Sequence, residues 1–408
     1  MRRTVVAVGA LMAMAVCLRA PFTGVGSVSG EVAAGLGLTS GQMGLVTTLP
    51  LLSFAAVSSV VAAIERAIGA GRAMILGFAV LACGIAVRSV GGEWGLYAGS
   101  ATVGAGIAVA NVLAPAFVKR LFPGRVYQLT SAYLGVMTLF AGVSSGIAVP
   151  LATAWGWRGS LAVWAAAAAV AVVWWWPFRG ERFGVSRAAD ATRAGDVEAD
   201  VDVSRTGGSG GKGLVTNGSL ARSPMAWCVA LYMGTQSLLY YCFVAWFAPI
   251  LQTHGLNADA AGYVSAAYVA IGLVGSLAVP LLARRFRNQS IVGVGLGAVY
   301  VVGMAALQVV DAPGALPVVV VCCGLCQGAC VSFATAQFSV HASTTQAASA
   351  LSGFAQSIGY AIAAVGPVAL GLLFDAVGSW SVPNGALLTG ALLLVVLGYF
   401  VGKPRMVG

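Results

Sequence analysis

Apolar runs of roughly 18 to 25 residues recur from one end of the chain to the other. Each is long enough for a helix rising about 1.5 Å per residue to cross a hydrocarbon core about 30 Å thick. Twelve runs are predicted, at about 4–28, 43–64, 73–90, 95–118, 127–150 and 159–177, then 225–250, 261–283, 290–310, 315–338, 348–374 and 383–402. Lipid offers the backbone no hydrogen-bond partner, and barrel strands would alternate apolar and polar residues over about ten positions, so these runs must be helices. With 59% hydrophobic and 8% charged residues among 408, a set of soluble domains is excluded. The fold class expected is an all-α membrane protein of twelve transmembrane helices.

The basic residues orient these helices. With Arg2 and Arg3 in the cytoplasm, the same side receives Arg66, Arg72, Lys119, Arg120, Arg125, Arg284, Arg285, Arg287, Lys403 and Arg405, together with seven Lys and Arg residues between 179 and 222. Arg88 and Arg158 fall near the outer face. This asymmetry follows the positive-inside rule with both termini cytoplasmic, and it accounts for the net charge of +10 without a nucleic-acid partner. Trp94, Trp155, Trp157 and Trp380 are expected at the outer interface, and Trp174, Trp175 and Trp176 at the inner one. The amino-terminal run imitates a signal peptide, yet Val16 is not the small residue a cleavage site requires and the run continues past it. An uncleaved first helix is expected.

The runs fall six and six around one polar stretch, 178–224, whose "GDVEADVDVSRTGGSGGKG" holds almost no large apolar residue. Such a segment buries too little surface to offset chain entropy and is expected to be a disordered cytoplasmic linker. Residues 1–177 and 225–408 would then each form a six-helix bundle. Their small-residue runs "GAGIAVANV" at 104–112 and "CQGACVSFA" at 326–334 are faintly alike. Two such parallel repeats place a substrate site between them near mid-membrane.

One charge breaks the pattern. Arg19 lies about 15 residues into the first run, roughly 22 Å from its cytoplasmic end. An arginine at that depth costs about 2.5 to 3.5 kcal/mol on an insertion scale. Either it snorkels to the outer headgroups, or it serves the substrate. Outside the linker the carboxylates are Glu31, Glu65, Glu93, Asp259, Asp311 and Asp375, all in loops or at helix ends. Without an acidic partner inside the membrane, the guanidinium is left to offer paired N–H donors to an anion or a strongly dipolar solute.

Other polar residues fall on helices expected to line the cavity: Thr23, one turn beyond Arg19; Gln236 and Tyr240, and Gln356 and Tyr360, each pair spaced i, i+4; and Thr47, Asn111, Tyr133 and Gln327. Each has two readings, substrate contact or a helix–helix hydrogen bond worth about 0.6 to 2 kcal/mol. A proton-coupled carrier generally uses an intramembrane Asp, Glu or His; His254 is expected outside and His341 near the inner end of its helix, so no proton relay is evident. Of the eight cysteines, Cys322, Cys326 and Cys330 share a helical face, but no His or carboxylate completes a metal site, and packing is the expected role. No cofactor is expected.

"LRAPFTGVG", "GLVTTLPLLSF", "GAGIAVANVLAPAFVKRLFP", "GWRGSLAVWA", "AWFAPILQTHGL" and "LSGFAQSIGYAIAAVGPVALGLLFDAVGSW" resemble the cyanate and 2-nitroimidazole transporter family of the major facilitator superfamily. The resemblance runs through both halves in order and lapses over 178–224. It implies a twelve-helix secondary carrier of the bacterial inner membrane, handling small anions or small nitrogen-containing organic solutes. The family's first helix reads Asn-Leu-Arg-Pro; here Cys17, Leu18 and Arg19 are followed by Ala20 and Pro21, so the arginine carries over and the asparagine does not. The superfamily's glycine- and charge-rich loop between its second and third helices survives as "ERAIGAGRA". A non-enzymatic, monomeric carrier working by alternating access is expected, the competing reading being an exporter of neutral aromatic compounds.

Overall fold

A computed structural model of the chain describes residues 2–58, 60–181, 220–286, 288–309, 311, 314–342 and 345–403. Most of the predicted linker, residues 182–219, lies outside the described residues. In the first half the helices are α1 (Arg2–Ser27), α2 (Ser29–Leu36), α3 (Ser40–Ser58), α4 (Val61–Ile68), α5 (Ala70–Val90), α6 (Glu93–Leu121) and α7 (Val126–Trp175). In the second they are α8 (Pro224–Thr253), α9 (Ala258–Arg285), α10 (Ser290–Leu307), α11 (Ala315–Val340), α12 (Thr345–Val377) and α13 (Ser381–Val401).

Among the described residues, eleven helices are long and apolar enough to span a membrane, one of them a 51-residue stretch. At about 1.5 Å per residue that stretch would be more than twice as long as the core is thick. It is two passes. Gly156, with φ 71° and ψ 164°, breaks α7 where a side chain would be strained, so the chain turns back across the membrane. Twelve passes result, six in each half.

Local chemistry sets several ends. Ser223 accepts from the Ala226 N–H at the start of α8, with Pro224 in the first turn, and Asn257 accepts from the Ala260 N–H at 2.8 Å to start α9. The predicted second run, 43–64, is divided. α3 stops at Ser58, a turn follows at Val60, and α4 is a separate one-sided helix packed on α5 and α6. Its "VAAIERAI" pattern suits an interfacial segment better than a span, because Glu65 and Arg66 sit in its middle.

An even number of passes leaves both chain ends on one face, here the near face, with Arg120 and Lys403; Glu31, Gly156 and His254 mark the far face. The small-residue runs matched in sequence do matching work. Gly104 of α6 lies on the backbone of α3 at Pro50, and Gly328 of α11 on that of α9 at Gly272, so in each half the fourth pass meets the second without an intervening side chain. Between halves, α3 packs on α12, α7 on α9, and α1 on α8: second pass on fifth, fifth on second, first on first.

These contacts gather toward the far face. One apolar cluster belongs wholly to the first half; the other joins the second half to Val25, Val28, Met43, Val46, Ala148 and Val149 of the first. A β-carbon at Gly44 would stand 2.6 Å from the Pro367 carbonyl oxygen, and one at Gly146 would stand 3.3 Å from Ala266. Thr48 donates to the Ala364 carbonyl, and Asp375 of α12 accepts from the Ser40 and Gly41 N–H groups at 2.9 and 2.7 Å, capping α3 from the opposite half. Toward the near face the same helix faces part. Gly135 lies two turns before Gly142 on α7 and Gly353 two turns before Tyr360 on α12, and neither would meet an atom within 4 Å.

Three of the expected interface tryptophans are interior. Trp94 and Trp155 are exposed, as are Trp174 and Trp176, but Trp157, Trp175 and Trp380 are buried. Trp175 donates to the Ala10 carbonyl at 3.0 Å, and Trp380 stacks on Phe374 at 4.5 Å. Consecutive helical residues point about 100° apart, so a Trp-Trp-Trp run cannot place all its rings in the headgroups. All eight cysteines are free thiols, five of them buried.

Candidate substrate site

α1 lacks one main-chain hydrogen bond where it passes mid-height. Pro21 has no N–H for the Cys17 carbonyl, and the following turn is tied to neighbouring helices instead. Ser144 of α7 donates to the Ala20 carbonyl at 2.6 Å, and Thr23 donates to the Ala141 carbonyl at 2.9 Å. Arg88 of α5 is 1% exposed, not interfacial as its place in the last turn suggests, and its Nη1 donates to the Pro21 carbonyl at 2.8 Å.

The turn that ends at Pro21 presents Arg19 to a cavity of about 90 Å³ between the two halves. Its wall comes from α1 (Leu18, Arg19, Phe22), α3 (Pro50, Leu51, Phe54), α6 (Gly104, Ile107, Asn111), Met137 of α7, Tyr241 of α8 and Tyr360 of α12. Arg19 crosses the divide. Its Nη1 donates to the Tyr240 hydroxyl, with the guanidinium carbon 4.8 Å from the centre of that ring. The flanking aromatics also meet across the halves: Phe22 with Tyr241 at 5.6 Å and Phe54 with Tyr360 at 5.3 Å, both edge-on. None of the described carboxylates forms an ion pair with Arg19. A cation held only by a neutral hydroxyl and a ring face has donors to spare for an anionic or dipolar solute.

The structure brings together four of the residues singled out from sequence: Arg19, Asn111 and Tyr360 in the wall, and Tyr240 against Arg19. The others stand elsewhere. Thr23 is committed to Ala141; Gln327 donates to the Val269 carbonyl at 3.3 Å, joining α11 to α9; Gln236 donates to Ser237 at 2.7 Å and Gln356 to Ser352 at 2.7 Å within their own helices. Tyr133 is buried in the apolar core of the first half, and Thr47 is buried beside Thr48, the residue that bonds across the divide. Sequence reasoning missed Phe22, Phe54 and Tyr241. Phe22 is i+3 from Arg19, a spacing that puts it on the same face.

At the far face Glu31 of α2 is held above the usual carboxylate range, first by burial and then by Asp259 of the second half. Closing that face therefore brings like charges together.

The model of the Major Facilitator Superfamily matches residues 11–364. The chain belongs to the major facilitator superfamily. The 2-nitroimidazole transporter of Escherichia coli (strain K12) is 32% identical over 406 residues, covering 99% of this chain and 97% of that one. An uncharacterized transporter of Bacillus subtilis (strain 168), YycB, is 32% identical over 392 residues, 96% of this chain and 92% of the other. Among solved structures, a bacterial homologue of the human lysosomal transporter Spinster, inward-facing and unoccupied, superposes with a TM-score of 0.75 over 97% of this chain and 95% of that one, at 14% identity, a likeness of fold. As a major facilitator protein the chain is a multi-pass secondary transporter of a small molecule and not an enzyme.

Proposed function

We propose that this transporter carries a small anion or a small nitrogen-containing organic solute, of the cyanate or nitroimidazole type, across the bacterial inner membrane by alternating access, as a monomer with both termini cytoplasmic. The observation that supports this most is Arg19, directed into the cavity between the halves with no carboxylate partner. In this reading the near face is cytoplasmic, residues 1–177 and 225–408 are the two rocking units, and the arrangement described is inward-facing, with Asp375 holding the outer side shut. Asn111 and Tyr360 complete the polar wall. Thr23, Thr47, Tyr133, Gln236, Gln327 and Gln356 shape the helices around it, through bonds or packing of their own. The nitroimidazole relative agrees with the reading, since a nitro group offers a guanidinium two acceptor oxygens on a flat ring.

A second reading, export of neutral aromatic compounds, draws on the ring-lined wall of Phe22, Phe54, Tyr241 and Tyr360. The two separate by charge. Purified protein is screened by thermal unfolding against cyanate, nitrate, small carboxylates, 2-nitroimidazole and uncharged aromatics, since a bound solute raises apparent stability by RT ln(1 + [L]/Kd). Stabilisation by an anion or nitro compound, lost in Arg19→Gln, is expected; stabilisation by neutral aromatics that survives Arg19→Gln establishes the second reading.

A further inference from the structure

Arg88 is a second arginine that the fold buries without an acid. Among the described residues its Nε and Nη2 have no hydrogen-bond partner, no carboxylate pairs with it, and its one bond goes to the Pro21 carbonyl. Filling that space alone is better done by methionine, which carries no desolvation cost. What an arginine adds is one charge-assisted bond, to one carbonyl.

That carbonyl lies two residues beyond Arg19, on the turn where α1 loses a main-chain tie. With no Pro21 N–H to hold the Cys17 carbonyl, the turn that carries Arg19 is held less firmly by the helix itself. Further ties come from outside. α7 supplies three ties, Ser144 to the Ala20 carbonyl, Thr23 to the Ala141 carbonyl and Ser145 to the Thr23 carbonyl; α5 supplies the fourth, through Arg88. Bonds from two helices define a direction more closely than bonds from one.

We propose that Arg88 is a positioning residue for Arg19: by gripping the Pro21 carbonyl from α5 it sets the direction in which the proline-weakened turn of α1 presents the Arg19 guanidinium to Tyr240 and the cavity. The inference rests on Arg19 as the substrate anchor, but its test needs no substrate.

The full chain is prepared in lipid nanodiscs with 3-fluorotyrosine at position 240, and the ¹⁹F resonance is compared among variants. Arg19→Met gives the position of the signal without the guanidinium. Arg88→Met is expected to move the signal at least halfway to that reference, while Arg88→Lys, which still donates to Pro21, keeps it near the wild-type position. Pro21→Ala, by restoring the N–H, should reduce the Arg88→Met shift at least twofold. A purely structural role would lower the melting temperature and leave the resonance in place, and that outcome overturns the proposal. So does a Tyr240 signal that ignores Arg19→Met. If Arg88→Met does not fold, Arg88→Gln serves under the same criteria. Transport that survives Arg19→Met and Arg88→Met while all these shifts are observed would count against Arg19 as anchor and not against Arg88 as its positioner.

Discussion

Arg19 occupies a depth that costs about 2.5 to 3.5 kcal/mol to reach, and what it meets there is a tyrosine of the other half. Loss of a charged hydrogen bond is worth about 1.5 to 3 kcal/mol, so Arg19→Gln should weaken solute binding about 10- to 150-fold, measured by titration of purified protein, with the melting temperature little changed. Unweakened binding would remove Arg19 from the site. The arginine was legible in the sequence because charge inside an apolar run is rare. The rest of the wall was legible only in part. Selecting polar residues found Asn111 and Tyr360 in the wall and Tyr240 against Arg19, but it also gathered Gln236, Gln327 and Gln356, whose amides are spent on their own or neighbouring helices. Phe22, Phe54 and Tyr241 carry no such flag, since an aromatic ring in lipid, in a core or beside a solute looks the same in sequence. Arg88 misled for a related reason: its depth was right, but the direction of a side chain within a helix turn depends on partners elsewhere in the chain.

At the scale of elements, hydropathy located the passes well, because the length of an apolar run answers directly to bilayer thickness. It failed at α4, where apolar residues continue past the end of α3 although their arrangement becomes one-sided. It could not show which passes meet, and those meetings hold the far face together. Asp375 at the end of α12 caps α3 of the other half. Removing a cap of this kind costs about 0.5 to 2 kcal/mol, so Asp375→Ala should raise the population open at the far face by about 2- to 30-fold. Thr47→Cys, in a chain freed of its native cysteines, reports this as faster labelling by a membrane-impermeant maleimide presented to the far face. Gly44→Val, whose side chain would press on the Pro367 carbonyl and the α12 backbone, should accelerate the same labelling. Unchanged rates in both variants would show that these contacts do not hold the face shut.

As a whole, the molecule pairs opposed tendencies at one face. The Asp375 cap and close helix packing favour closure, while Glu31 and Asp259 are brought together by it. Under the proposed function, such a balance would let a small binding energy at Arg19 tip the halves from one packing to the other. The described passes hold no carboxylate beside the cavity, so an imposed pH gradient should not drive uphill accumulation in proteoliposomes; accumulation that follows the gradient would require a proton site elsewhere. The most direct test of the account is counterflow in proteoliposomes, with unlabelled solute inside and labelled cyanate or 2-nitroimidazole outside. Transient accumulation of label by the wild-type protein is expected, with at least a tenfold slower rate for a folded Arg19→Gln variant. Wild-type counterflow in that variant would contradict it.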